Sequence, residues 1–204
     1  MARRCDVPAF QRGDNLDALL TSIALVAVAE IGDKTQLLSF VLAARLRKPW
    51  PIIGGILLAT LANHSLAGWL GSLLAGWVPP TTLAWIVGIS FIVFGLWALH
   101  PDSLDDSPRM HKAGAFVTAF VAFFLTEMGD KTQFATFALA ARFDSLALVV
   151  IGTTTGMMLA NVPAVWIGEK LALKVPMKAA RIVAAALFMA VGALTLWGAS
   201  TPIR

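Results

Sequence analysis

The chain has 204 residues, 58% of them hydrophobic and 14% charged, with a formal net charge of +4 and a mean hydropathy of +0.76. Soluble domains average about 45–50% apolar and about 25% charged residues, so this composition excludes an ordinary soluble domain and points to a membrane protein. The positive charge is not a nucleic-acid footprint: the lysines and arginines sit mainly between apolar runs, where they set topology and meet lipid headgroups.

The N-terminal stretch MARRCDVPAFQRGDNLDALL is basic, but the apolar run it opens is far longer than the core of a cleaved signal. A permanent first span is expected. Cys5 is the single cysteine, which excludes an internal disulfide and a thiolate metal cluster; it reads as a free thiol in the tail.

A crossing helix needs about 20 mostly apolar residues. In chain order the expected spans are 16–45, 51–77 and 82–99, then 113–142, 145–169 and 178–198. Residues 100–112 (HPDSLDDSPRMHK) form a polar linker, and Lys48-Pro49, Pro79-Pro80 and Pro176 mark other turns. The linker acids Asp102, Asp105 and Asp106 read as a solvated loop. The chain thus divides into residues 1–99, the linker, and residues 113–204.

The first span contains AEIGDKTQLLSF, residues 29–40. The 14 residues from Leu16 to Ala29 reach roughly 21 Å as a helix, too short for a hydrocarbon core of about 30 Å. Only a span running through the motif crosses, and Glu30 then lies at mid-depth. Glu30, Asp33 and Lys34 are spaced to share one face of a continuous helix. Gly32 would let a second backbone approach, or let the helix loosen and present carbonyl oxygens.

The second span places Asn63 and His64 among apolar residues. The fourth repeats the first motif as TEMGDKTQFATF, residues 126–137, and the fifth contains Asn161. Glu30, Gly32, Asp33, Lys34, Thr35 and Gln36 recur 97 positions later as Glu127, Gly129, Asp130, Lys131, Thr132 and Gln133. Leu61-Ala62-Asn63 recurs as Leu159-Ala160-Asn161, one residue out of step, which leaves Val162 opposite His64. His64 therefore lacks support from symmetry and reads as a packed or hydrogen-bonded residue.

The expected fold is an all-α membrane protein of six transmembrane helices, built as two three-helix repeats. Three spans per unit is odd, so the second unit enters the membrane inverted, the plan of many secondary transporters. Arg45, Arg47, Lys48, Arg109, Lys112, Lys170, Lys174 and Lys178 lie after the first, third and fifth spans, whereas Arg142 stands almost alone after the second and fourth. The positive-inside rule puts the linker in the cytoplasm and both termini outside, with Arg3, Arg4 and Arg12 pulling the other way. The tryptophans lie mostly towards span ends, as an interfacial belt does.

Each charge near the bilayer centre costs about 2.5–3.5 kcal/mol, so six of them demand pairing or function. If the repeats face each other, four carboxylates and two ammonium groups meet, with a formal sum of −2 that suits one divalent cation. Glu30, Asp33, Glu127 and Asp130 are the candidate metal ligands, Thr35, Thr132, Gln36 and Gln133 add neutral oxygens, and Lys34 and Lys131 hold the aspartates. Asn63 and Asn161 serve either the site or an interhelical hydrogen bond. Hard oxygen donors suit Ca²⁺, Mn²⁺ and Mg²⁺. Clustered carboxylates take either protons or a cation, because each disfavours the other, and exchange across the membrane then needs only alternate exposure.

The doubled motif, EIGDKTQ and EMGDKTQ, resembles the signature of the GDT-type cation/proton exchangers, a family that includes bacterial manganese exporters and Golgi manganese/calcium transporters. The resemblance covers nearly the whole chain. It implies export of Mn²⁺, or Ca²⁺ in some relatives, against protons, with the motif acids as cation ligands. No resident cofactor is implied; the metal is cargo. The short linker looks bacterial, which implies the inner membrane, and a homodimer is left open. Two other classes compete: an intramembrane aspartate-dependent hydrolase and a passive cation channel. The lysine after each aspartate would keep it ionised, against a shared-proton dyad. Charge confined to one depth argues against a lined pore.

Overall fold

The computed structural model describes residues 15–100, 114–167 and 177–201. Cys5, the N-terminal arginines, linker residues 101–112, Glu169, Lys170, Lys174 and Pro176 lie outside the described residues. The described residues form helices without a strand: α1 (Asn15–Glu30), α2 (Lys34–Leu46), α3 (Pro49–Trp77), α4 (Pro80–Ala98), α5 (Ala115–Glu127), α6 (Lys131–Arg142), α7 (Leu146–Ile167) and α8 (Met177–Ser200). Pro49 and Pro80 open α3 and α4 at the first helical position, where the missing N–H has no intrahelical partner to lose.

Helices α3, α4, α7 and α8 are each long and apolar enough to cross a membrane. Together α1 and α2 qualify as a fifth crossing, bent by 67° at the break between them. Helix α5, with 13 residues, spans only roughly 20 Å. The outward surfaces are apolar, with Trp77 86%, Trp197 73% and Trp50 71% exposed at or near helix ends.

The expectation of continuous helices over 16–45 and 113–142 is corrected here. Each is broken inside the motif, at Ile31–Asp33 and at Met128–Asp130. Gly32 (φ 81°) and Gly129 (φ 75°) adopt the left-handed backbone that side-chain-bearing residues avoid, and the aspartates that follow are extended. Glu30, Asp33 and Lys34 therefore do not share a face of one helix. Glu30 ends α1, Asp33 caps the start of α2, and Glu127 and Asp130 repeat the arrangement at α5 and α6.

Packing follows the sequence repeat. Helix α1 lies on α7 and, in the exchanged pair, α5 lies on α3; α4 packs against its own counterpart, α8. The crossings match residue by residue. A Cβ on Gly55 would lie 2.5 Å from the Phe116 carbonyl oxygen and 2.8 Å from the Ala119 Cβ. One on Gly152 would lie 2.8 Å from the Leu19 carbonyl oxygen and 2.7 Å from the Ser22 Cβ. Each residue of the second contact is the 97-position counterpart of one in the first. Glycine is needed at both because the backbones nearly touch.

Candidate functional site

The breaks place four acids at helix termini. Asp33 and Asp130 sit where the N-terminal amides of α2 and α6 give a positive end, which favours negative charge. Neither aspartate caps its own helix through its side chain. Each faces the other motif instead: Lys34 Nζ lies 3.1 Å from Asp130 Oδ1, and Lys131 Nζ donates to Asp33 Oδ1. The lysines do hold the aspartates, but across the repeat.

Glu30, Asp33 and Asp130 each present a carboxylate oxygen within 4.8 Å of the other two. Opposite ligands of a divalent ion with bonds of about 2.0–2.6 Å stand about 4–5 Å apart, so one ion can be held by all three. The three acids are at most 1% exposed. A crevice bordered by Gly32, Asp33, Lys131 and Arg181 has no room for a water molecule, so the cluster is sealed on that side.

Glu127 does not join this triplet. Its Oε2 accepts from Thr60 Oγ1 and Asn63 Nδ2, both at 3.4 Å. His64 Nε2 stands 2.8 Å from Glu127 Oε1, an ion-pair distance, with no hydrogen bond between them. In the matching half, Glu30 Oε2 accepts from Thr35 Oγ1 and, at 3.4 Å, from Asn161 Nδ2. The asparagines thus approach the glutamates from the opposite repeats. Asn161 also donates to the Met157 carbonyl at 3.0 Å and accepts from Ser39 Oγ at 2.7 Å, while Asn63 donates to the Phe124 carbonyl at 3.0 Å.

The neutral motif residues divide by role. Gln36 and Gln133 use their amide oxygens to accept from the N–H of Gly32 (2.9 Å) and Gly129 (2.7 Å), stabilising the breaks. Thr35 and Thr132 are fully buried, and each hydroxyl lies 3.4 Å from the aspartate two residues before it. The crossed lysines, Thr60 and the contact of His64 with Glu127 were not anticipated from sequence. A signal existed: Thr60, Asn63 and His64 are spaced to share one face of α3.

A family profile described as divalent cation/proton antiporter GDT1 matches residues 18–106 and 115–202, nearly the whole chain. The chain belongs to that family. As a GDT1 member it is a membrane transporter of cations rather than an enzyme. It is 52% identical, over 85% of its length and 88% of the other's, to a Vibrio cholerae protein described as a candidate manganese exporter. GDT1-like proteins from Synechocystis (25% identical, 89% of this chain and 98% of the relative) and Arabidopsis thaliana (26%, 90% and 97%) are more distant relatives. No solved structure matches the chain.

Proposed function

We propose that the chain exports a divalent cation, Mn²⁺ foremost and Ca²⁺ as the alternative cargo, in exchange for protons. The reading rests on one observation above the rest: carboxylates from both motif copies converge, buried, at two helix breaks. The candidate manganese exporter at 52% identity supports the choice of metal.

In this reading α1–α2 and α5–α6 are each one broken crossing, giving six spans in two inverted units. The exchanged packing of α1 on α7 and α5 on α3 supports that plan. The membrane is the bacterial inner membrane, with the linker cytoplasmic and both termini outside. Glu30, Asp33 and Asp130 bind the ion. Lys34 and Lys131 neutralise the aspartates, and a cation entering the cluster competes with them. Protons compete as well, since clustered buried carboxylates bind either species. The glycine breaks serve as the hinges through which the two units expose the site alternately. A passive pore fits less well, because the acids are sealed from solvent.

The test is uptake of Mn²⁺ and Ca²⁺ into proteoliposomes with and without an imposed pH gradient. Uptake should rise with the gradient and vanish in Glu30→Gln. Transport indifferent to the gradient would refute exchange, and single-channel currents would favour a pore.

A further inference from the structure

The two halves of the site are not chemically equal. On the Glu30 side the converging acids Glu30, Asp33 and Asp130 and the Thr35 hydroxyl offer oxygen, with the Met157 thioether behind them, 3.0 Å from Asn161 Nδ2. On the Glu127 side α3 adds an imidazole, and the corresponding residue of α7 is Val162, which has no donor atom.

His64 is fully buried, and neither ring nitrogen has a hydrogen bond among the described residues. Glu127 Oε1 and Asn63 Oδ1 are also buried without one. His64 Nε2 and Glu127 Oε1 thus face each other at ion-pair distance, while His64 Nδ1 and Asn63 Oδ1 stay costly unless something else satisfies them. The 2.8 Å separation of His64 Nε2 and Glu127 Oε1 is close to the edge of an octahedron around a small divalent ion, roughly 3 Å for bonds of about 2.1 Å. Two atoms at that spacing with no hydrogen bond between them can serve as neighbouring ligands of one ion. Asn63 Oδ1 supplies a further oxygen on the same helix face.

We propose that His64 Nε2 and Glu127 Oε1 form a mixed nitrogen–oxygen subsite that selects first-row transition-metal ions over Ca²⁺ and Mg²⁺. This deepens the exchange reading and rests on it. Imidazole discriminates in that direction because alkaline-earth ions favour oxygen alone, whereas affinity for nitrogen rises from Mn²⁺ towards Co²⁺. The all-oxygen triplet would carry no such preference by itself. His64 thus sets specificity, and the triplet supplies charge.

Two measurements test the assignment on the full chain in lipid. Pulsed electron paramagnetic resonance of Mn²⁺ bound to the wild-type protein should show ¹⁴N modulation from a coordinated imidazole; its absence would overturn the proposal without any variant. In proteoliposomes, His64→Gln should raise the KM for Mn²⁺ by about tenfold or more while Ca²⁺ shifts much less, and Co²⁺ should lose its advantage as a competitor. An equal change for Mn²⁺ and Ca²⁺ would make His64 a packing residue and sink the subsite alone. Failure of the wild-type protein to move either ion would instead sink the exchange reading, and this inference with it.

Discussion

Lys34 Nζ lies 3.1 Å from Asp130 Oδ1, a residue 96 positions away, and the matching contact joins Lys131 to Asp33. Each motif copy thus supplies the cation that neutralises the other's aspartate, which locks the two halves together through charge. The two pairs are unequal: the Lys34 side chain is 25% exposed and the Lys131 side chain 4%. Removing one partner of a buried pair strands a charge, at about 3–5 kcal/mol, whereas partly solvated pairs contribute about 0–1 kcal/mol. Both aspartates are buried, so Lys131→Gln and Lys34→Gln should each destabilise the protein, measured by unfolding in micelles, and the more buried Lys131 should cost more. Adding Asp33→Asn to Lys131→Gln should restore much of the stability. No loss in either single variant, or no rescue by Asp33→Asn, would contradict the crossed arrangement.

The breaks make a sharper backbone prediction. Gly129 holds φ 75° with nothing within 4 Å of a Cβ built on it, so a side chain there would meet strain but no clash. Gly129→Ala should cost about 1–2 kcal/mol, and Gly129→Asn less, because asparagine tolerates the left-handed region better. If alanine and asparagine were equally harmless, the α5–α6 break would not depend on that conformation.

The membrane class and the duplication were legible in the sequence because each depends on composition or spacing. The helix breaks were only half legible. Gly32 and Gly129 signalled loosening, yet Glu30, Asp33 and Lys34 also fit the periodicity of an unbroken helix, and periodicity does not register a single residue turning left-handed. The crossed lysines were hidden for another reason. Lys34 follows Asp33 in the chain, and only the approach of the other repeat places Asp130 at 3.1 Å. His64 has no counterpart at Val162, so the repeat gave no signal for its contact with Glu127.

Close approach of the repeats is testable independently of the site. Gly55 and Gly152 face the same counterpart atoms at 2.5–2.8 Å, while Gly76, also in α3, has open space around it. Gly55→Ala and Gly152→Ala should each cost about 1–3 kcal/mol through overpacking. Gly76→Ala should be neutral or stabilising by about 0.5–1 kcal/mol, because alanine loses less entropy in a helix. Similar losses at Gly55 and Gly152 would be the energetic signature of duplicated crossings.

The last prediction separates cation binding from fold. Glu30→Gln keeps the volume of the side chain and leaves its Thr35 and Asn161 partners in place, but removes one of three carboxylates from the cluster. A ligand that binds only the folded state at a hundredfold excess over its Kd stabilises by about 2.7 kcal/mol. Mn²⁺ should therefore raise the unfolding temperature of the wild-type protein and leave Glu30→Gln unmoved, while the two proteins unfold close together in chelator. The chelator arm carries the weight, since a variant that is merely misfolded would already unfold early without metal. Stabilisation of Glu30→Gln by Mn²⁺ equal to that of wild type would mean that Glu30 is not a ligand, and the site would have to be rebuilt around Asp33, Asp130 and Glu127.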